Sequence, residues 1–197
     1  MENQSIKKNI LITAIPVVFA LILSVLALLM YGTGEDGIRH FNRYTARISF
    51  SIFIVIFALP GIKFLFREKF YHRIEQNQRY LMLAMLIIML IHLGGIYYIY
   101  QILPEMPVKL STFAGGGLAY LMIFLLFILG RDGKNNESKG KIWSFAMSFG
   151  LYWIWFIFAF TYIGRLSRSM MFMPLTIFTF ALLFFRIWGI LKIKRFP

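Results

Sequence analysis

The sequence predicts an all-α fold, a polytopic membrane bundle of six transmembrane helices with both termini in the cytoplasm. Three observations predict it: 59% of the 197 residues are hydrophobic, only 15% are charged, and the mean hydropathy is +0.72. About a quarter of a soluble domain is charged, and a chain of this length could not bury so much apolar surface in one core. These values exclude a water-soluble enzyme, a disordered chain and a fibrous protein.

The six helices are predicted from runs of apolar residues. A helix needs about 20 apolar residues to cross the hydrocarbon core of a bilayer. Six stretches satisfy this requirement, at about 9–31, 46–66, 80–103, 111–130, 142–163 and 170–191. The second is the least regular, because Pro60 and Gly61 interrupt its far end. We expect one transmembrane domain over residues 1–197, with no room for a soluble nucleotide-binding domain.

The orientation is predicted from Lys and Arg, which are enriched on the cytoplasmic side of membrane proteins. Of the 21 basic residues, 14 lie in the N-terminus, the segments 63–79 and 131–141, and the C-terminal tail. Six lie in the alternate segments, and Arg186 lies inside the last span, where we expect it to snorkel. This bias places both termini in the cytoplasm and makes the third and fifth helices parallel. Lipid headgroups thus account for the net charge of +13, and no nucleic-acid partner is expected.

Few residues in the spans can carry chemistry. The chain has no Cys, which excludes disulfides, thiolate nucleophiles and Cys-ligated metals. No Asp or Glu lies in a span, which argues against cation-coupled transport and carboxylate catalysis. His92 lies in the middle of the third span, where a buried imidazole is either a hydrogen-bonded packing residue or a metal ligand.

Two methionines are further candidate metal ligands. Met89 shares a helix face with His92, three positions away, and Met147 lies near the start of the fifth span. A thioether usually fills space, but it can also ligate haem iron opposite a His. Counted from the basic residues that flank each span, His92 and Met147 differ in depth by about 10 Å.

Three segments carry a resemblance to a known family: Arg79-Tyr-Leu-Met-Leu followed by His92, Arg43-Tyr-Thr-Ala-Arg47 followed by Phe57-Ala-Leu-Pro60, and the run 143–155, Trp-Ser-Phe-Ala-Met-Ser-Phe-Gly-Leu-Tyr-Trp-Ile-Trp. The pattern resembles the ferric reductase-like transmembrane domain, a six-helix haem b module. Its relatives include the haem membrane subunit of the periplasmic methionine sulfoxide reductase system. The resemblance extends over roughly 40–190.

The resemblance implies a haem b site with altered ligands. Where the family commonly carries a His at the start of helix five, this chain has Met147. A second family His, deeper in helix five, would fall near Phe160 or Thr161, neither of which ligates haem. Some relatives carry an additional His at the position of Met89. The implied axial ligands are His92 and Met147, with Met89 and Met147 as a lesser alternative. The resemblance also implies Arg79 beside a haem propionate, and Tyr152 and Trp155 against the porphyrin.

Two functions follow, and the sequence leaves both open. The first is a cytochrome b-like electron-transfer subunit, in a bacterial inner membrane by resemblance. Such a subunit requires a protein partner that supplies or accepts electrons, because the chain has no flavin or nicotinamide motif. Its haem would be held by one chain or shared in a homo-oligomer. The second is a haem-free scaffold or assembly subunit that keeps the six-helix frame. A channel or transporter is less favoured, because no inverted repeat or pair of broken helices is visible.

Overall fold

The computed structural model describes residues 2–103, 110–129, 145–166 and 169–195. These residues form helices and short connections, with no strand among them. A π-helical turn, Ala146–Gly150, precedes the sixth helix, and a 3₁₀ turn, Met170–Phe172, precedes the seventh. The α-helices are α1 Glu2–Tyr31, α2 Glu35–Phe57, α3 Leu59–Leu65, α4 Glu68–Ile102, α5 Leu110–Leu129, α6 Leu151–Leu166 and α7 Met173–Arg195.

The helices confirm an all-α membrane protein. Among the described residues, α1, α4, α6 with its preceding turn, and α7 are each long and apolar enough to cross a bilayer. A fifth span results if α2 and α3, which are bent by 59°, count as one broken helix. The apolar stretch in α5, Ala114–Ile128, is shorter than the others. The break between α2 and α3 lies at Ala58, two residues before the interruption expected at Pro60 and Gly61.

Two helices begin well before their predicted starts. α2 begins at Glu35 rather than near 46, and α4 begins at Glu68 rather than near 80. Most of 32–47 and 63–79, which lie between or at the edges of the predicted spans, is therefore helical. Hydropathy detects only the part of a helix that lies in lipid. The polar first turns are helical for another reason: acidic residues favour helix N-termini, and Glu35 pairs with Arg39 one turn later, at 2.5 Å.

The core lies where α2 crosses the other helices. Phe53, Ile56 and Phe57 of α2 are fully buried, and they pack in one cluster with Met85 and Ile88 of α4. Large apolar side chains also cover the outside of the bundle, for example Leu29 of α1 and Phe184 of α7, at 76% and 69% exposed. An apolar exterior of this kind is expected of helices that face lipid.

Arg186 of α7 lies against the break between α2 and α3. The Gly61 N–H, which would bond to the Phe57 carbonyl in a continuous helix, bonds to the Ala58 carbonyl at 2.9 Å. The Arg186 Nη1 donates instead to the Phe57 carbonyl at 2.7 Å, and the guanidinium stacks over the Phe57 ring at 4.7 Å. Only 7% of Arg186 is exposed. The expectation that Arg186 snorkels to the interface is therefore wrong, because a free carbonyl inside the bundle binds it.

α3 and α7 approach each other closely at two glycines. A Cβ added at Gly189 would collide with the backbone of Pro60 and Gly61, and one added at Gly61 would meet the Phe185 ring at 2.5 Å. Close approach of helix backbones at small residues is a common mode of packing in membranes. The glycines thus bring α7 near enough for Arg186 to reach the α2–α3 break.

Candidate functional site

α4 and α6 run in the same direction and define the depth of every candidate residue. Near their beginnings, the Gln78 Nε2 donates to the Met147 Sδ at 3.7 Å. Near their ends, His92 and Thr161 line one cavity. On each segment the two residues are 14 positions apart, which is about 21 Å at 1.5 Å per residue. Met147 therefore lies about 21 Å in depth from His92, about twice the offset expected from the flanking charges.

The cavity at the level of His92, here called the apolar cavity, has a volume of about 130 Å³. It lies between α2, α4, α5 and α6, and Met89 and His92 form part of its α4 wall. Met85, Ile123 and Ile154, each at most 2% exposed, close its deep end. These walls bury a small space in the core, with polar groups concentrated at one end.

Thr45 of α2 binds the imidazole of His92. The Thr45 Oγ1 lies 2.9 Å from the His92 Nδ1 and 3.1 Å from the carbonyls of both Phe41 and Asn42. The hydroxyl has one proton, and the carbonyls can only accept, so a hydroxyl that donates to a carbonyl accepts from Nδ1. The ring also lies within hydrogen-bonding reach of the Asn42 carbonyl. We infer that Nδ1 carries the proton and that Nε2 is an acceptor.

A glycine one turn beyond His92 permits this contact. A Cβ added at Gly95 would collide with the Asn42 Oδ1 and would lie 2.9 Å from the Phe41 ring. One added at the neighbouring Gly94 would meet nothing within 4 Å. Gly95 thus faces α2 and lets that helix approach α4 closely enough for Thr45 to bind His92.

A second cavity, here called the arginine cavity, has a volume of about 400 Å³ and shares Arg43, His92, Arg165 and Phe172 with the first. Arg39 also lines it, and Arg47 lines the apolar cavity. Neither cavity has an Asp or Glu among its described lining residues. Four arginines therefore surround the polar end of a space that reaches into the bundle.

The arginines of this group have different neighbours. Arg39 is paired with Glu35, with 2.6 Å between the Nε and Oε1. The Arg43 Nη1 lies 3.4 Å from the His40 Nε2, and the Arg165 guanidinium lies over the Phe172 ring at 5.6 Å. Glu35 thus offsets one charge, Arg43 contacts an imidazole, and Arg165 contacts an aromatic ring and has further partners.

Four of the six candidates from the sequence lie away from these cavities. Met147 lies in the π-helical turn before α6 and contacts Gln78. Arg79, next to Gln78, places its guanidinium 5.2 Å from the centre of the Phe127 ring of α5, and its Nε is buried without a hydrogen-bond partner. Met147 and Arg79 therefore lie at the opposite end of α4 from His92.

Tyr152 and Trp155 face other helices. Tyr152 packs edge-on against Phe57 at 5.6 Å and lies 5.3 Å from the Arg186 guanidinium. The Trp155 Nε1 donates to the Thr179 carbonyl of α7 at 2.9 Å. A different face of α6, with Ile154, Ile157, Phe158, Thr161, Tyr162 and Arg165, lines the cavities. Of the six candidates, only His92 and Met89 share a cavity.

The donor set does not fit a six-coordinate haem within one chain. Axial ligands approach the iron from opposite faces at about 2 Å each, whereas His92 and Met147 differ in depth by about 21 Å. Met89 and His92 belong to the same wall, one turn apart. Thr161 of α6, which lines the same cavity as His92, has a hydroxyl that donates to the Ile157 carbonyl at 2.7 Å. The apolar cavity is also smaller than the 300 Å³ or more of typical cofactor pockets.

Comparison with family models, curated proteins and solved structures finds no match for this chain. The similarity to the ferric reductase-like domain therefore stays a prediction from sequence. Among the described residues, no three His, Asp or Glu side chains group in a way that could hold a metal ion.

The polar partners of His92 were not predicted from the sequence. Thr45 has no signal of its own, because a Thr on an apolar helix commonly bonds to its own backbone. Arg43 and Arg47 were used only as basic residues beside a span and as part of the family resemblance. Their spacing of four residues would have placed them on one helix face, had the segment been predicted as helical.

Proposed function

We propose that this chain is a haem-free six-helix protein of a bacterial inner membrane, with a scaffold or assembly role. One observation supports this function over electron transfer: Gln78 contacts Met147 about 21 Å in depth from His92. Thr161 of the parallel helix lines the same cavity as His92 and cannot ligate iron. The frame is therefore built around a hydrogen-bonded His rather than around two ligands.

The proposal counts six spans, with α2 and α3 as one broken span and α5 as another. Both termini lie in the cytoplasm, as the distribution of Lys and Arg favours. A scaffold also needs surfaces for a partner. A Cβ at Gly94, Gly116 or Gly117 would meet nothing within 4 Å, so these glycines leave room for a neighbouring helix of another membrane protein.

The decisive measurement is an optical spectrum of detergent-purified protein from haem-replete cells, oxidised and then reduced with dithionite. We expect no Soret band, and the same spectrum for His92→Ala, because no pair of ligands meets at one iron. A Soret band that is present in the wild type and lost in His92→Ala would overturn the proposal.

One observation favours a second candidate, an electron-transfer subunit with haem b held by His92 alone. The Nδ1 of His92 binds Thr45 at 2.9 Å, and a ring fixed through one nitrogen leaves the other available as a ligand, as in most metal-binding histidines. A bound haem would supply one-electron chemistry. This candidate predicts a high-spin spectrum in monomeric protein, or a low-spin one only in a dimer.

A further inference from the structure

The connection between α3 and α4, here called the elbow, comprises residues 63–70. Phe66 and Arg67 have non-helical backbone angles and join the two helices, and every residue from Leu65 to Phe70 is exposed. Leu65, Phe66 and Phe70 are 62%, 53% and 46% exposed, and the ring centres of Phe66 and Phe70 lie 5.3 Å apart. The elbow therefore presents a small apolar surface that the described part of the chain leaves uncovered.

Basic side chains alternate with these apolar ones. Lys63, Arg67 and Lys69 are all exposed within the same eight residues. Glu68 is the one acidic residue of the elbow, and its Oε1 lies 3.4 Å from the Nε2 of His72, one turn later on α4. With three basic residues and one acidic residue, the elbow carries a net charge of +2. Such a surface is complementary to an anionic one.

The bend between α2 and α3 determines where the elbow lies. The two helices are bent by 59°, so the chain turns aside at the end of α2 instead of continuing along its axis. Gly61 and Gly189 let α3 approach α7 closely, because a Cβ at Gly189 would collide with the backbone of Pro60 and Gly61. The bend thus lays α3 against the last turns of α7.

Contacts with α7 place the elbow where the apolar part of the bundle ends. Phe64, in the last turn of α3, packs edge-on against Trp188 at 6.1 Å. The Lys192 Nζ, one turn nearer the end of α7, lies 5.7 Å from the centre of a Trp188 ring. Trp is enriched at the boundary between hydrocarbon and headgroups, and Lys near a helix end extends to the headgroups. The apolar span of α7 ends at Ile193, so the elbow lies near the headgroups of one leaflet.

Apolar and basic side chains that alternate at this depth are typical of segments that lie in the membrane interface. Lys and Arg donate charge-assisted hydrogen bonds to phosphate oxygens. The head group of phosphatidylglycerol has no cation to offset its phosphate, unlike that of phosphatidylcholine. We propose that the elbow binds anionic phospholipids of the adjacent leaflet. Its three basic side chains contact the headgroup phosphates, and its three exposed apolar side chains lie among the upper parts of the acyl chains.

The first test is native mass spectrometry of the delipidated full chain in detergent, titrated with phosphatidylglycerol or with phosphatidylcholine of the same acyl chains. We expect phosphatidylglycerol to bind at least tenfold more tightly. Arg67→Gln weakens its binding about fivefold, which corresponds to the roughly 1 kcal/mol that one basic residue contributes near an anionic surface. The triple variant Lys63→Gln/Arg67→Gln/Lys69→Gln weakens it at least tenfold, and binding of phosphatidylcholine stays unchanged.

The matched control is Arg47→Gln, which removes the same charge from an exposed position on α2, beside the apolar cavity. We expect it to leave the affinity for phosphatidylglycerol unchanged. Equal affinities of the wild type for the two lipids would overturn the proposal. Equal losses in Arg67→Gln and Arg47→Gln would also overturn it, because they would show that the lipid responds only to the net charge of the chain.

A second measurement does not require that variants of the basic residues fold. Leu65→Cys introduces a thiol into a chain that has none, and a bimane attached to it reports its surroundings in nanodiscs that contain phosphatidylglycerol. We expect strong quenching by a lipid with a nitroxide near the carboxyl end of its acyl chain, and little by acrylamide in the water. Strong quenching by acrylamide and none by the nitroxide lipid would contradict the proposal and indicate a surface for a soluble partner. Neither experiment depends on the scaffold function.

Discussion

His92 is the one histidine that lies deep in a predicted span, and the structure gives it a partner 47 positions away in sequence, Thr45. The sequence could predict the need for such a partner, because an imidazole in an apolar environment must satisfy its ring nitrogens. It could not predict which residue fills this role, because that depends on how α2 and α4 cross at Gly95.

Replacement of Thr45 by Val removes the hydroxyl and keeps the shape of the side chain. We expect a loss of about 1–3 kcal/mol in the free energy of unfolding, the cost of leaving a buried N–H without an acceptor. The measurement is unfolding by sodium dodecyl sulfate in mixed micelles. The matched control is Ser51→Ala on the same helix, whose hydroxyl also donates to the carbonyl four residues earlier but is exposed.

Ser51→Ala should change the free energy by less than about 0.5 kcal/mol, as surface substitutions usually do. Equal losses in the two variants would show that Thr45 stabilises only its own helix. In that case the hydrogen bond between Thr45 and His92 would make no measurable contribution to the free energy of unfolding.

At the scale of elements, hydropathy located the lipid-facing parts of the helices but not their ends or their register. Apolar runs predicted α1 and α7 closely, whereas α2 and α4 extend into polar segments that hydropathy does not detect. The parallel course of α4 and α6 was predicted, and the structure agrees, because Gln78 contacts Met147 near their beginnings and His92 and Thr161 line one cavity near their ends. The predicted depth offset between His92 and Met147 was wrong. Met147 lies beside Gln78, next to Arg79, which is the basic residue that flanks the span of His92.

Cysteine pairs test this register in a chain that has no native Cys. We expect a short bis-methanethiosulfonate reagent to bridge the pairs His92→Cys with Thr161→Cys and Gln78→Cys with Met147→Cys. It should not bridge His92→Cys with Met147→Cys, whose side chains lie about 21 Å apart in depth. Intact mass spectrometry separates one bridging reagent from two singly attached ones. A bridge between positions 92 and 147 would contradict the register.

For the whole molecule, composition alone predicted the membrane class, and the long apolar helices confirm it. Composition could not predict the site, because its polar ends come from α2, α4 and α6 and meet only in the folded bundle. Arg43 and Arg165 are 122 positions apart, and both line the two cavities. In the sequence they are two flanking charges among many.

The proposed orientation places the arginine cavity on the face opposite the termini. We expect a membrane-impermeant maleimide to label Thr33→Cys in intact cells and to label Gln4→Cys only after the membrane is permeabilised, because the excess of Lys and Arg lies on the N-terminal side. Mass tagging of the thiols followed by electrophoresis gives the labelled fraction. The reverse pattern would invert the topology and place the cavity toward the cytoplasm.

The Arg186 contact also bears on the order in which the chain enters the membrane. An Arg near the middle of an isolated helix costs about 2.5–3.5 kcal/mol to insert, and α7 carries one. The carbonyl of Phe57 and the rings of Phe57 and Tyr152, which receive the guanidinium, belong to α2 and α6. Both of these helices are synthesised before α7. The last helix thus enters a bilayer that already contains the partners of its charge, so its insertion depends on earlier helices having remained nearby.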